Sequence, residues 1–277
     1  MKTIRSRDNP FVKQLIALAH ASRERRKAGL SVLDGIHLVR AYVDAQGPPH
    51  AIAVAESALV RREVASLLGD CPPQSVNVLA DKLMAEASRL DSPAFLMAVV
   101  TTPESIVVPS EATLLVLEDI QDPGNVGSLL RSAAAAGIAH AVLSKTSAFA
   151  WSPKVLRAAQ GAHFLLNIVD GVDVVAFILA YAGRSLALVP HGAGVSQLYD
   201  NDLTGPTAFL IGNEGSGLSP QLAAAASHRV TIPMPGKVES LNAAAAGAIC
   251  MFEMVTMNSP SEAALCINSY LPVTMAW

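Results

Sequence analysis

Apolar and polar positions along the chain fall into two successive rhythms. In the first, Phe11, Leu15, Leu18 and Ala19 recur at helical spacing between Pro10 and Gly29, which predicts one helix over 10–28. Short alternations follow: a strand at Leu30–Leu33 and a helix at Ile36–Ala45, then Ala51–Ala55 and Leu59–Leu68, then Val76–Leu79 and Lys82–Ala87, and a closing strand at Phe95–Val100. Thr101–Thr113, with Pro103 and Pro109, reads as a linker. This first part is an α/β module of about a hundred residues.

The second rhythm is more regular. Continuous apolar runs predict strands at Leu114–Leu117, Ala141–Leu143, Leu165–Val169, Leu186–Val189, Ala208–Ile211 and Val230–Ile232. Between and after them, helices are predicted at Val126–Ala136, Pro153–Gln160, Val174–Tyr181, Pro220–Ala226 and Leu241–Val255. Fully apolar strands alternating with helices imply a parallel sheet covered on both faces. In such a sheet, ligands bind beyond the C-terminal strand ends. Three Gly/Pro-rich polar segments fall there: Glu118–Gly127, leading to Arg131; Gly212–Gly217; and Pro233–Asn242. They bring Asn125, Arg131, Glu214, Ser240 and Asn242 to one edge of the sheet.

Composition narrows the class. Half of the 277 residues are hydrophobic and only 16% are charged, which excludes disorder. The longest apolar runs, such as Val174–Ala182, are too short for a bilayer, and the charged N-terminus lacks the apolar core of a signal peptide. Three scattered cysteines (Cys71, Cys250, Cys266) suggest neither disulfides nor a metal site, so a cytoplasmic protein is expected. The formal charge of −3 is unevenly spread: residues 1–40 hold nine Lys or Arg against Asp8, Glu24 and Asp34, a local +6. Such an arm can meet phosphates locally, though a solvated helix face around Arg23–Lys27 explains it equally well.

Common motifs fail. Gly212, Gly215 and Gly217 are spaced wrongly for a dinucleotide fingerprint, and Gly236-Lys237-Val238 lacks the hydroxyl of a phosphate-binding loop. No zinc spacing and no G-x-S-x-G elbow occurs, so neither a bound metal nor a hydrolase is expected.

What remains resembles a known family. Asp122-Pro-Gly-Asn-Val-Gly127 with Arg131, Gly212-Asn-Glu-Gly-Ser-Gly-Leu-Ser219, and Ile232-Pro-Met-Pro-Gly-Lys-Val-Glu-Ser-Leu-Asn242 are similar to the three motifs of the SpoU (TrmH-like) RNA ribose 2′-O-methyltransferases. Trp151–Ala162 resembles their intervening segment. Residues 30–100 more loosely resemble the L30e-like substrate-binding domain of the ribosomal RNA branch. The resemblance implies an α/β fold in two parts, a small L30e-like domain over 1–104 and a parallel-sheet domain with a deep trefoil knot over 112–257. A tail of unassigned role follows over 258–277. It further implies S-adenosylmethionine as cofactor, held by Gly212, Gly215, Ile232, Leu241 and Asn242. Pro190-His191 departs from the family, which commonly has a small hydroxyl residue there.

The catalytic roles implied are Arg131 at the 2′-hydroxyl, Asn125 ordering its loop and Glu214 orienting Arg131 or the motif loops. Ser240 and Asn242 read both as helix caps and as site residues. The family sometimes assigns this arginine as proton acceptor. Because a free guanidinium keeps its proton, Arg131 is expected to hold the adjacent phosphate and stabilise developing alkoxide charge, with base action open only to a strongly desolvated side chain. Ile232 and Leu241 read as core residues as readily as cofactor contacts. The expected partner is RNA, ribosomal rather than transfer RNA because of the long N-terminal part. A homodimer built on the last helix and the first motif helix is also implied. The alternatives are a transfer RNA methyltransferase and a non-catalytic RNA-binding protein of the same fold. Deleting 1–104 is expected to leave a folded, cofactor-binding remainder.

Overall fold

Asn9 starts the first helix by accepting the Phe11 N–H at 2.9 Å, with Pro10 in the first turn. The computed structural model describes residues 3–88, 94–238 and 240–258. Lys2, Glu239, Cys266 and the tail from residue 259 lie outside the described residues. The elements of the N-terminal part are α1 (Pro10–His20), α2 (Ser22–Ala28), β1 (Leu30–Asp34), α3 (Ile36–Gln46), β2 (Ala51–Ala55), α4 (Arg62–Gly69), β3 (Val76–Leu79), α5 (Asp81–Ala87) and β4 (Leu96–Thr101). They form a mixed sheet of order β1-β4-β2-β3, with β4 antiparallel to both neighbours.

Two expectations change here. The single helix over 10–28 is broken at Ala21, whose backbone is extended. The break lets buried Arg25 fold back and donate to the Leu18 and Ala19 carbonyls, which α1 leaves without helical partners. Gly29, in the left-handed conformation, ends α2 as expected. Helix α4 starts at Arg62 rather than Leu59, because the preceding turn is pinned elsewhere. The Ser57 N–H and Oγ both donate to the Asp81 carboxylate, at 3.2 and 2.9 Å.

The remaining elements are β5 (Leu114–Leu117), α6 (Pro123–Ala135), β6 (His140–Ser144), α7 (Pro153–Ala159), β7 (Asn167–Val172), α8 (Val174–Ala180), β8 (Arg184–Leu188), β9 (Ser196–Gln197), β10 (Thr207–Ile211), α9 (Pro220–Ala225), β11 (His228–Thr231) and α10 (Ala243–Asn258). Their seven-stranded sheet has the order β7-β6-β5-β10-β8-β11-β9, and every pairing is parallel. Leu114, Val116, Val142, Ala187, Ala208 and Leu210 from its strands pack with Val174 and Ile178 of α8 and Leu222 of α9. Strand β7 begins at Asn167, not Leu165, whose side chain is exposed. The chain is held in a short turn just before it, where buried His163 bonds the Ala150 carbonyl at 2.8 Å and meets Trp151 edge-on. Among the described residues no helix is long and apolar enough to cross a membrane.

The chain divides into two compact units, and the N-terminal one also takes in residues 122–127 and 148–165. Within it, α7 packs on β1 and buries Val155, Leu156 and Ala159. Gly127 of α6 lies so close to α7 that an added Cβ would stand 2.4 Å from the Ala158 Cβ and 2.7 Å from the Val155 carbonyl oxygen. Phe164 meets Tyr42 edge-on with ring centroids 5.2 Å apart. Removing residues 1–104 would therefore uncover α7, at about 2 kcal/mol for each large apolar side chain exposed, rather than leave an intact remainder. The basic arm also looks different in place. Arg5 pairs with Glu56, Arg7 with Glu86, Lys13 with Asp8, and Arg40 with Asp44 and Asp70, while Arg25 is buried.

Candidate cofactor cleft and catalytic helix

Strands β10, β8 and β11 are adjacent and parallel, so the loops that follow them emerge side by side. Together with the start of α10 these loops line a cavity of about 460 Å³. β8 contributes Leu188 and leads into Val189 and Pro190; β10 contributes Ile211 and leads into Gly212–Gly217. β11 contributes Thr231, followed by Ile232 and Met234, and the last motif adds Ser240, Leu241, Ala243 and Ala246. One wall is apolar and the other is a polar glycine loop, the combination expected of a site that takes a mixed-character small molecule.

The glycine loop is built by its own backbone. A Cβ on Gly212 would stand 2.3 Å from both the Gly217 carbonyl carbon and the Leu218 nitrogen, so only glycine fits. Asn213 closes the turn: its Oδ1 accepts from the Gly215 and Ser216 N–H groups at 2.9 and 3.0 Å, and its backbone pairs with that of Gly217. The Asn213 Nδ2 donates to the Asp119 carbonyl at 2.9 Å, tying this loop to the one after β5. Asp119 itself holds a left-handed backbone, φ 56°. Glu118, at the end of β5, accepts from the Ser219 N–H and Oγ, each at 2.7 Å, while Ser219 Oγ also caps α9 by accepting from the Leu222 N–H.

The residues singled out from sequence separate into three places. Gly212, Gly215, Glu214, Ile232, Ser240 and Leu241 all line the cavity. Ile232 is buried and Leu241 is 39% exposed, so Leu241 is cavity wall rather than core. Asn242 is not a lining residue: its Oδ1 accepts from the Ala244 and Ala245 N–H groups at 2.9 and 3.2 Å, which makes it the cap of α10. Asn125 and Arg131 both lie on α6, the first buried near its start, the second exposed about two turns on. Six residues turn a helix by roughly 240°, so the two side chains leave α6 on different faces. Among the described residues no hydrogen bond or ion pair involves Arg131. His163 is buried and neutral, its pKa pushed down to about 4 by desolvation, and burial pushes the Cys250 thiol up to about 12. Neither is poised for chemistry, and no cluster among the described residues could hold a metal ion.

Glu118, Asn213, Ser219 and the cavity-lining Leu188 and Val189 were not anticipated. Asn213, an Asx-turn residue two positions before Gly215, and Ser219 before Pro220 carried turn and cap signals that could have flagged them. Pro190 lines the cavity where the family commonly has a hydroxyl residue, so that wall is apolar here.

The chain belongs to a family of RNA-modifying enzymes: residues 112–252 match the SpoU rRNA Methylase family. Residues 9–98 match the MRM3-like substrate binding domain. An uncharacterized tRNA/rRNA methyltransferase of Synechocystis is 34% identical over 91% of this chain and 92% of its own. The 23S rRNA (guanosine(2553)-2′-O)-methyltransferase of Bacillus subtilis is 27% identical over 92% of this chain and 99% of its own. The crystal structure of the SpoU methyltransferase AviRb from Streptomyces viridochromogenes, in complex with AdoMet, superposes with a TM-score of 0.79 at 27% identity, covering 90% of this chain and 98% of that one.

Proposed function

We propose that this protein transfers the methyl group of S-adenosylmethionine to a ribose 2′-hydroxyl of 23S ribosomal RNA. The observation that carries the reading is the cavity beyond β8, β10 and β11, with the Gly212 cradle at its floor. Its volume, apolar wall and backbone-lined loop fit this cofactor: the apolar side suits a nucleoside base, and the loop supplies polar backbone atoms without intruding side chains. Gly212, Gly215, Ile232 and Leu241 would hold it. Once bound, the cofactor supplies a sulfonium methyl group already activated for transfer.

The remaining work falls to the chain's own residues. Arg131, exposed on α6, holds the phosphate beside the target ribose and stabilises negative charge developing on its 2′-oxygen. With the cofactor bound, Arg131 would hold the 2′-oxygen facing the methyl group, and the hydroxyl proton would leave to solvent, because a guanidinium offers no site for it. Glu214, at the rim, orients the loop or the arginine; Asn125 fixes the start of the helix that carries Arg131. Ser240 and Asn242 set the start of α10 against the cavity. Transfer of label from methyl-labelled cofactor to 23S ribosomal RNA tests this reading, and no transfer to any RNA would overturn it.

The same proposal includes a homodimer. Ala243, Ala246, Gly247, Cys250, Met251 and Met254 form the buried face of α10, with Gly247 so near α6 that a Cβ would stand 2.3 Å from Leu129 Cδ2. Ala245, Ala248, Ile249, Phe252 and Val255 recur at helical spacing on the other side, and Phe252 is 44% exposed. A second copy would cover that stripe. Phe252→Arg should yield monomers in sedimentation velocity and lose most RNA methylation; an unchanged dimer would place the contact elsewhere.

A further inference from the structure

The N-terminal sheet ends in a loop whose composition the fold does not require. β2 runs out at Ala55, whose N–H donates to the Phe95 carbonyl at 2.8 Å, so Phe95 enters β4 beside the loop that leaves β2. Over the Phe95 ring lies the Arg61 guanidinium, its carbon 4.0 Å from the centroid. Val60, next to it, is 91% exposed, and Leu59 is 37% exposed. Arg61 and Arg62 are both exposed as well. Two exposed aliphatic residues beside a planar cation gain nothing from facing water.

The arrangement is held rather than accidental. Ser57 is bonded twice to Asp81, and Glu56 takes Thr3 Oγ1 at 2.9 Å and Arg5 at 2.8 Å, so the start of the loop is fixed. The other arginine stack of this unit differs: Arg26 lies over Phe149, but buried Arg25 approaches the same ring at 5.8 Å, so that aromatic belongs to a packed cluster. At Phe95 the guanidinium carbon stands 4.0 Å from the ring centroid, and no other ring contact is made to Arg61 among the described residues. A guanidinium plane laid on an aromatic extends the stack by one layer, and the next layer that matches it in shape and electronics is a nucleic acid base. Two aliphatic side chains are too small a patch for a protein interface, which needs on the order of 1,000 Å², and the flanking exposed Arg62 favours a polyanion.

We propose that the Arg61–Phe95 stack, edged by Val60, is a platform for one unpaired base of the RNA substrate, with Arg62 meeting the adjoining phosphate. The proposal rests on RNA being the partner of this enzyme. It gives the N-terminal unit a defined point of contact, used in substrate recognition and not in methyl transfer.

Arg61→Lys separates stacking from charge, because it keeps the cation and removes the plane. With the full chain and in vitro transcribed 23S ribosomal RNA, it should weaken RNA binding and raise KM for RNA roughly tenfold, the loss expected for one stacked base. kcat at saturating RNA, S-adenosylmethionine affinity and the slope of log affinity against log salt should stay at the wild-type values. Arg62→Gln should instead reduce that slope by nearly one unit. Irradiating a complex with 4-thiouridine-substituted RNA should crosslink the peptide that contains Val60 or Phe95. An Arg61→Lys protein with wild-type RNA affinity, or a loss that follows the salt slope, would refute the platform. If the wild-type chain binds RNA in filter retention but transfers no methyl group, the methyltransferase reading fails while the binding arm still decides the platform.

Discussion

Arg131→Ala should lower methyl transfer by roughly 10²–10³-fold, the usual cost of losing a group that stabilises charge developing in the transition state. S-adenosylmethionine affinity should stay within about twofold of wild type. The split follows from position: Arg131 is an exposed residue of α6 and is not among the residues that line the cavity. Arg131→Lys should recover only part of the rate, because a lysine keeps the charge but loses the planar donor fork that grips a phosphate. Calorimetric titration with the cofactor, beside single-turnover transfer to RNA, separates the two effects. A variant that lost cofactor binding yet turned over bound cofactor normally would put Arg131 on the wrong side of the reaction.

Gly212→Val should do the reverse and abolish cofactor binding, with a drop of more than about 100-fold in affinity and roughly 1–3 kcal/mol lost in stability. The atoms in the way are the Gly217 carbonyl carbon and oxygen and the Leu218 nitrogen, 2.3–2.5 Å from where a Cβ would stand. All three are backbone, so no side chain can swing aside. The loop would have to open, breaking the Asn213–Gly217 pairing and the Asn213 link to Asp119. Gly215→Ala is the control, since a Cβ there meets only Asn213 Oδ1, at 3.6 Å. Equal loss in both variants would mean that the loop tolerates no change at all, and the cradle would not be specific to Gly212.

Much of this site was legible because its parts are local. Short apolar runs ending in glycine-rich polar segments placed Gly212, Glu214, Ile232, Ser240 and Leu241 at strand ends, and the structure brings them to one cavity. The pairs that brace the site were not legible. Glu118 and Ser219 are 101 residues apart, and nothing near either predicts the other before β5 and β10 are known to be neighbours. Gly127 read as a loop glycine of the first motif, yet it is the point of closest approach between α6 and α7. The division of the chain was hidden for the same reason: a linker at 101–113 marks a change in pattern, whereas the packing of α7 on β1 depends on which surfaces meet. Arg25 counted as one cation of a basic arm until its burial against the end of α1 showed that it serves the fold. The trefoil knot entered through the resemblance alone, because no local feature of a chain reports that it is threaded.

The methyl group goes to a ribose oxygen, not to a base, and this chemistry can be read directly. The most direct measurement incubates the full-length chain with unmodified 23S ribosomal RNA and methyl-labelled S-adenosylmethionine, then hydrolyses the RNA in alkali. A 2′-O-methylated ribose blocks cleavage of its own 3′ phosphodiester, so the label should appear in alkali-stable dinucleotides from a single sequence position. Label recovered in mononucleotides carrying a methylated base would contradict the account.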